Sequence, residues 1–140
     1  MSFSSIQHAI VTHFSENWQN RLPVDYDNLP PNHKGSDDIW CRFYFDFSDG
    51  AQQSLGGTAT HAWSGYIVVQ LFVMRNIGTD DAWDYAENIR QILQRRTLEF
   101  DTSGRIYTHT PTVKHAGEEP FQINIVTPFE VRQLYDRISD

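Results

Sequence analysis

Acidic and histidine side chains are the groups in this chain that could carry out acid–base chemistry. The 140-residue sequence has 18 Asp and Glu residues and six histidines. Asp25 and Asp27 precede His33, and a small hydrolase could use a carboxylate with a histidine for proton transfer. That use requires a carboxyl group with a raised pKa in an apolar cleft, which the sequence does not indicate. We therefore expect no enzyme, and a hydrolase using these residues is an alternative.

Metal and nucleophile patterns are equally weak. The chain has no HExxH motif and no CxxC pair. His109 and His115 would lie about 20 Å apart along a strand, too far to share one ion. Cys41, the single cysteine, falls in an apolar strand and is interpreted as a small buried hydrophobe. Gly56-Gly57 lacks the Lys-Ser/Thr ending of a phosphate-binding loop. We predict no catalytic residue, metal or cofactor.

The charge of the chain restricts its partners. The net charge is −7, and only two lysines are present. Tight binding to duplex DNA needs Lys and Arg to neutralise phosphates, so we expect no specific nucleic-acid binding, although DNA could pass an acidic surface. The first residues do not resemble a secretory leader, and no apolar run approaches the ~20 residues of a membrane helix. We expect a cytosolic protein with no membrane partner.

Two helices are predicted from apolar periodicity. The first runs from Ser4 to Trp18 with one apolar stripe. The second begins after Thr79, where Asp80 and Asp81 favour a helix N-terminus, and should end near Thr97. Between the first helix and the first long strand lies an irregular, proline-rich segment, from Arg21 to Asp37, which could contain a short edge strand.

The strands are predicted mainly from alternation. The first spans Asp38 to Phe47 and is followed by a turn at Ser48-Asp49-Gly50. The others are a return strand Gln52 to Leu55, a long strand Trp63 to Met74, an interrupted strand Arg105 to His115 and a strand Phe121 to Val131. We predict one α+β domain, residues 1–140, with the order α-β-β-β-α-β-β. A mainly antiparallel sheet of about five strands would carry both helices on one face.

The long strand from Trp63 to Met74 is apolar on both faces, which is unusual for a sheet covered on one side only. Since the helices can cover one face, the other is a candidate subunit interface, with Trp63, Tyr66, Val68 and Phe72 as its residues. A loop of small residues precedes this strand and is a candidate contact with a partner; its residues are Leu55, Gly56, Gly57, Thr58, Ala59, Thr60 and His61.

The order and spacing of these segments resemble those of a known family. The features are the N-terminal helix, the Val24 to Pro30 segment before a strand, Leu55-Gly56-Gly57, the strand Gly65 to Val73, a helix after Asp80, and the strand Phe121 to Phe129. In these features, nearly the whole chain resembles the tail terminator (tail completion) proteins of long-tailed phages. Its proline-rich segment, Leu29 to Ser36, is longer than is typical of them.

The resemblance implies an α+β virion structural protein that assembles as a homo-oligomer, a hexameric ring. Such a ring caps the tail tube at its head-proximal end, stops polymerisation of the tube and offers a surface for head–tail joining. The implied partners are the tail tube protein and a head–tail connector protein, with DNA passing through the lumen. The loop from Leu55 to His61 matches the tube-contact loop of the family, and no catalytic residue is implied.

Three alternatives remain open. A head–tail connector or neck protein would share the virion context and differ in the phenotype of its deletion. A hydrolase would need Asp25 or Asp27 to converge with His33 in a cleft. A small-ligand-binding module would need a closed apolar pocket beside Trp63 or Trp83.

Overall fold

The computed structural model describes residues 3–27, 29–52, 58–74, 78–100, 104–118 and 120–136. Two helices and seven strands follow one another within these ranges. Their bounds are α1 Phe3–Trp18, β1 Val24–Tyr26, β2 Ile39–Gln52, β3 Thr58–Val73, α2 Asp80–Leu93, β4 Thr97–Phe100, β5 Gly104–Thr108, β6 Thr112–Glu118 and β7 Phe121–Asp136. The predicted α+β class with two helices is confirmed.

The strands form one mixed sheet in the order β1-β2-β3-β7-β5-β4, and β6 pairs with β7 beside β5. Among the described residues, only the β1–β2 pair is parallel, and the other pairs are antiparallel. The predicted number of about five strands was too low. β4 was missed because four residues are too few to show alternation, and the interrupted strand Arg105 to His115 is two strands. β1 lies in the proline-rich segment, where a short edge strand was considered but not counted.

The helices supply one side of the hydrophobic core. In α1 the buried residues recur at every fourth position, which places them on one stripe: Ile6, Ile10, Phe14 and Trp18. They share one core with the buried residues of α2 and with the odd-numbered residues of β3, Ile67, Val69, Leu71 and Val73. The even-numbered residues of β3 therefore point to the opposite side of the sheet.

The second helix ends earlier than predicted. Its last residue is Leu93, because Gln94 adopts an extended backbone and Arg95 has a positive φ of 49°. This turn directs Thr97 into β4. The acidic residues Asp80 and Asp81 lie in the first turn as expected, but the Thr79 side chain makes no capping hydrogen bond.

The predicted turn at Ser48-Asp49-Gly50 is wrong. β2 continues through it to Gln52, with a bulge between Phe47 and Asp49 that absorbs the extra residue. Of the predicted return strand Gln52 to Leu55, Gln52 instead ends β2 opposite His61, and residues 53–55 lie outside the described residues. β3 correspondingly begins at Thr58.

β7 is longer than its alternation indicated. It runs past Val131 to Asp136, and its C-terminal part pairs with the start of β3, down to Thr58 opposite Asp136. We call this part of the sheet the three-stranded arm: residues 50–52 of β2, 58–63 of β3 and 131–136 of β7. Phe3, at the start of α1, contacts Phe47 and Trp63 at the base of the arm.

The interrupted strand predicted from Arg105 to His115 is two strands. Pro111, which lies between β5 and β6, has no N–H to donate to a ladder. β6 then continues to Glu118, three residues beyond the end predicted at His115.

Gly65 is expected to be intolerant of any side chain. It lies in β3 between Phe47 of β2 and Phe129 of β7. A β-carbon at Gly65 would overlap the backbone oxygen of Asp46 and lie 2.9 Å from the Phe129 ring. We expect Gly65→Ala to lower the free energy of unfolding by about 3 kcal/mol, measured by urea denaturation.

The matched control is Gly117→Ala in β6. A β-carbon there would be 3.6 Å from its nearest neighbours, which is ordinary contact. Equal stability of the two variants would contradict the predicted steric conflict at Gly65.

Candidate docking surfaces

The side of the sheet opposite the core carries the first candidate surface, which we call the outer face. It contains the even-numbered residues of β3 and the residues of β2 and β7 that pair with them. Tyr44, Val68 and Val126 form one row across three strands, and Asp46, Tyr66 and Pro128 form the next. Tyr66 is 47% exposed, and Val68 and Val126 are only half-buried. This apolar strip is thus accessible in the isolated chain.

The structure places three of the four predicted interface residues together. Tyr66, Val68 and Phe72 all lie on the outer face, as their spacing in a strand requires. Trp63 does not join them, because its odd number places it on the core side, in contact with Phe3 and Phe47. Its buried Nε1 has no hydrogen-bond partner in the described part of the chain.

One end of the outer face is covered by the proline-rich segment. The His33 ring stacks on Trp40 at 3.6 Å between centroids, and Trp40 stacks on Phe72 at 4.4 Å. Phe72 is therefore half-buried within its own chain. Tyr66, three rows further along, is the more accessible candidate contact.

Asp25 holds the proline-rich segment against β1. Its Oδ1 accepts hydrogen bonds from the backbone N–H of Asn32 at 2.7 Å and of His33 at 3.0 Å. Its Oδ2 contacts Nδ1 of His33, and the Asn32 side chain donates to the Val24 carbonyl at 2.6 Å. The segment is thus fixed by specific polar contacts.

The same contacts perturb Asp25. Burial alone would raise the pKa of its carboxyl group. The N–H donors of His33 and Asn32, with the His33 ring, outweigh burial and lower the pKa below its ordinary value. The stabilisation is therefore present at neutral pH and is lost as the pH falls through this lowered pKa.

We expect Asp25→Asn to lower the free energy of unfolding by about 1–2 kcal/mol at pH 7, because an amide oxygen accepts these bonds more weakly than a carboxylate. The difference from wild type should shrink progressively as the pH falls below about 4 and then through the lowered pKa of the folded wild-type carboxylate. Urea denaturation at several pH values measures this. Asp27→Asn is the control, and a loss that does not depend on pH would contradict the prediction.

The carboxylate–histidine arrangement that a hydrolase would use is incomplete. Asp25 and His33 do meet, but Asp27 points elsewhere and pairs with Arg42 at 3.7 Å. The Cys41 thiol is buried on the core side, where burial and then the charge of Asp25 raise its pKa. It is therefore a protonated thiol at neutral pH, which agrees with its interpretation as a buried hydrophobe.

The predicted tube-contact loop lies at the end of the three-stranded arm. Leu55, Gly56 and Gly57 fall outside the described residues. Thr58, Ala59, Thr60 and His61 belong to β3, so their assignment to a loop was wrong. The cause is that β7 extends far enough to pair with them.

Three grooves lie elsewhere. The first, about 730 Å³, is lined by α1 and β4; the second, about 490 Å³, by α1, β1 and β2; the third, about 420 Å³, by the end of α1 and β1. Neither Trp63 nor Trp83 lines any of them.

Metal ligands and membrane spans were also considered. Within the described ranges, no group of three or more His, Cys, Asp or Glu residues could hold a metal ion. No helix in those ranges is long and apolar enough to cross a bilayer.

Comparison with known proteins supports the fold and leaves the activity open. No protein-family model matches the sequence, and no curated protein matches it. Among the solved chains that match, one whose designation states neither a function nor a source covers 96% of this chain and 98% of its own length. The TM-score is 0.66 and the sequence identity 18%. At that identity the similarity extends to the fold alone.

Some residues of these surfaces were missed by sequence reasoning. Val126 and Pro128 join the outer face only because β7 pairs with β3, which alternation within one strand does not reveal. Trp40 and Tyr44 alternate with the core-facing residues of β2, and only the register with β3 places them beside Phe72 and Val68.

Proposed function

We propose that this chain is a structural virion protein of the tail terminator kind, which assembles into a ring that caps a phage tail tube. The observation that carries the proposal is the outer face, an accessible apolar strip on a sheet whose helices pack on the opposite side. The resemblance of the sequence to tail terminators adds the class of assembly.

The outer face is the proposed contact between subunits. Monomeric proteins rarely leave a contiguous apolar patch exposed, and such patches are typical of interaction sites. Tyr66 and Val68, with Pro128 beside them, would be buried by a neighbouring copy. Phe72, already covered by Trp40, would contribute less.

The three-stranded arm is the proposed contact with the tail tube. The arm includes Gln52 and Thr58, which flank in sequence the Gly56-Gly57 pair of the predicted tube-contact loop. The backbone pairing of the three strands, which extends to Thr58 and Asp136, fixes this end of the arm in place. The net charge of −7 would let DNA pass through the ring without binding tightly.

Negative-stain microscopy combined with light scattering tests the proposal. We expect six-fold rings in solution or on the ends of purified tail tubes. A strict monomer at all concentrations, with no binding to tubes, would overturn it.

A head–tail connector is the nearest rival within the same assembly. Deletion of the gene separates the two functions. Over-long tails are expected for a terminator, whereas unattached tails of normal length would indicate a connector.

A further inference from the structure

The two ends of the sheet have complementary free edges, one along β4 and one along β2 beyond the end of β1. Just before β4, the carbonyl of Arg96 accepts a hydrogen bond from the N–H of Thr108 in β5 at 2.8 Å. Because the bonding direction alternates along an antiparallel strand, Thr97 and Glu99 direct their N–H and C=O groups away from β5. No strand in the described part of the chain pairs with these groups.

The free edge of β2 begins where β1 ends. Cys41 N–H donates to the Pro23 carbonyl at 2.9 Å, so the odd-numbered residues of β2 direct their backbone groups towards β1. β1 reaches only to Phe43. Phe45 and Phe47 therefore present two N–H and two C=O groups to no described strand.

The two edges can join without inverting the sheet. Four antiparallel pairings separate β2 from β4, so the two strands run in the same direction. A β4 strand from a second copy would thus lie parallel to β2, in the mode that β1 already uses on the same edge. In this pairing Thr97–Phe100 lies opposite residues 44–47, so Leu98 and Phe100 share the core side with Phe45 and Phe47.

Accessibility and charge support the same edge-to-edge contact between β4 and β2. The α1–β4 groove borders the first edge, and the groove formed by α1, β1 and β2 borders the second. Arg95, which is exposed and precedes β4, would approach Asp27 at the end of β1, whose side chain is 65% exposed. Glu99 would lie opposite Asp46, but it already pairs with Arg105 at 3.6 Å.

The outer edge of β6 differs from these two edges. Lys114 is exposed in β6, and a bulge follows His115. An exposed lysine and a bulge are common ways in which proteins discourage strand addition. Thr97–Phe100 contains neither feature, and residues 44–47 contain no lysine, although the bulge of β2 directly follows Phe47.

We propose that copies of this chain join edge to edge, with β4 of one copy pairing in parallel with β2 of the next. The inference rests on the proposed ring and specifies a subunit contact in addition to the outer face. A contact between two different surfaces of one chain is heterologous, and it closes a ring when its repeated rotation returns to the first copy.

Disulfide cross-linking tests the joint. Tyr44→Cys and Thr97→Cys in one chain would place the two thiols on neighbouring strands about 5 Å apart, within reach of a disulfide. Mild oxidation is expected to give a covalent ladder of multimers on a denaturing gel. Cys41 is buried and should not contribute. The control chain carries Tyr44→Cys with Thr112→Cys on the β6 edge, and should give no ladder.

Charge reversal gives an independent measurement. Asp27→Arg and Arg95→Asp are each expected to weaken association about tenfold, measured by analytical ultracentrifugation, and their combination should restore it. Asp84→Arg, a reversal on the exposed side of α2 and away from both proposed contacts, is the control and should leave association unchanged.

The outcomes separate the joint from the ring. If the chain forms multimers but gives no ladder, or a ladder equal to that of the control, the edge contact is overturned and the ring stands. The same conclusion follows if the charge-reversed variants associate as strongly as wild type. A wild-type chain that is always monomeric would overturn both.

Discussion

Replacing Phe14 by alanine is expected to lower the free energy of unfolding by about 3–5 kcal/mol, the largest loss of stability that we predict. Phe14 is fully buried and lies between Trp18, at 5.6 Å between ring centroids, and Phe43, at 4.8 Å. Its removal would leave a cavity where α1 meets the sheet, and neighbouring rings held by their own contacts could fill only part of it.

Urea denaturation of wild type and variant measures this loss. Phe3→Ala is the matched control on the same helix, because Phe3 is 51% exposed and borders the core only at Phe47 and Trp63. Phe3→Ala should lower the free energy of unfolding by much less. If both variants lost the same stability, the core would not be centred on the stripe of α1 that contains Phe14.

Tyr66→Asp is expected to impair assembly by about a hundredfold while the chain still folds. The reason is that a carboxylate buried without a partner in a subunit contact is costly, whereas the same carboxylate on an exposed strand is solvated. Light scattering reports the assembly, and thermal unfolding of the dilute monomer reports the fold.

Trp83→Asp serves as the control for Tyr66→Asp, since Trp83 is 41% exposed and lies on α2, away from the outer face. It should leave assembly intact. Equal losses of folding and assembly in Tyr66→Asp would place Tyr66 in the core of the monomer. Unchanged assembly would remove the outer face from the subunit contact.

The parts of the fold that follow from sequence are those with a sustained period. α1 was predicted within one residue because its buried positions recur every fourth residue. The mainly apolar run from Trp63 predicted most of β3 but not its first five residues. β4 had no such signal, because four residues paired in a hairpin with β5 are too few to show a period. β1 was expected only as a short edge strand without bounds.

The errors around β2 have a common cause. Ser48-Asp49-Gly50 has the composition of a turn, but the residues of β2 before and after it both pair with β3. Pairing over a long ladder outweighed the local preference, and the extra residue was accommodated as a bulge. The same ladder extended β3 into residues that were predicted to be a loop.

The candidate surfaces were only partly predictable. Strand parity alone places Tyr66, Val68 and Phe72 on one side and should have excluded Trp63. The cover over Phe72 was not predictable, because it depends on Asp25 and His33 drawing a proline-rich segment back onto Trp40. The positions of Asp25, His33 and Trp40 in the sequence give no indication that these residues meet.

The position of β7 has a consequence for synthesis of the chain. β7 lies between β3 and β5 in the sheet, yet it follows both in the sequence. While the ribosome is still translating the residues before Phe121, β3 and β5 have no shared neighbour, and the nascent chain exposes two unpaired, partly apolar edges. The sheet can close only once residues 121–136 have emerged from the exit tunnel, so its central pairing forms late and across a large separation in sequence.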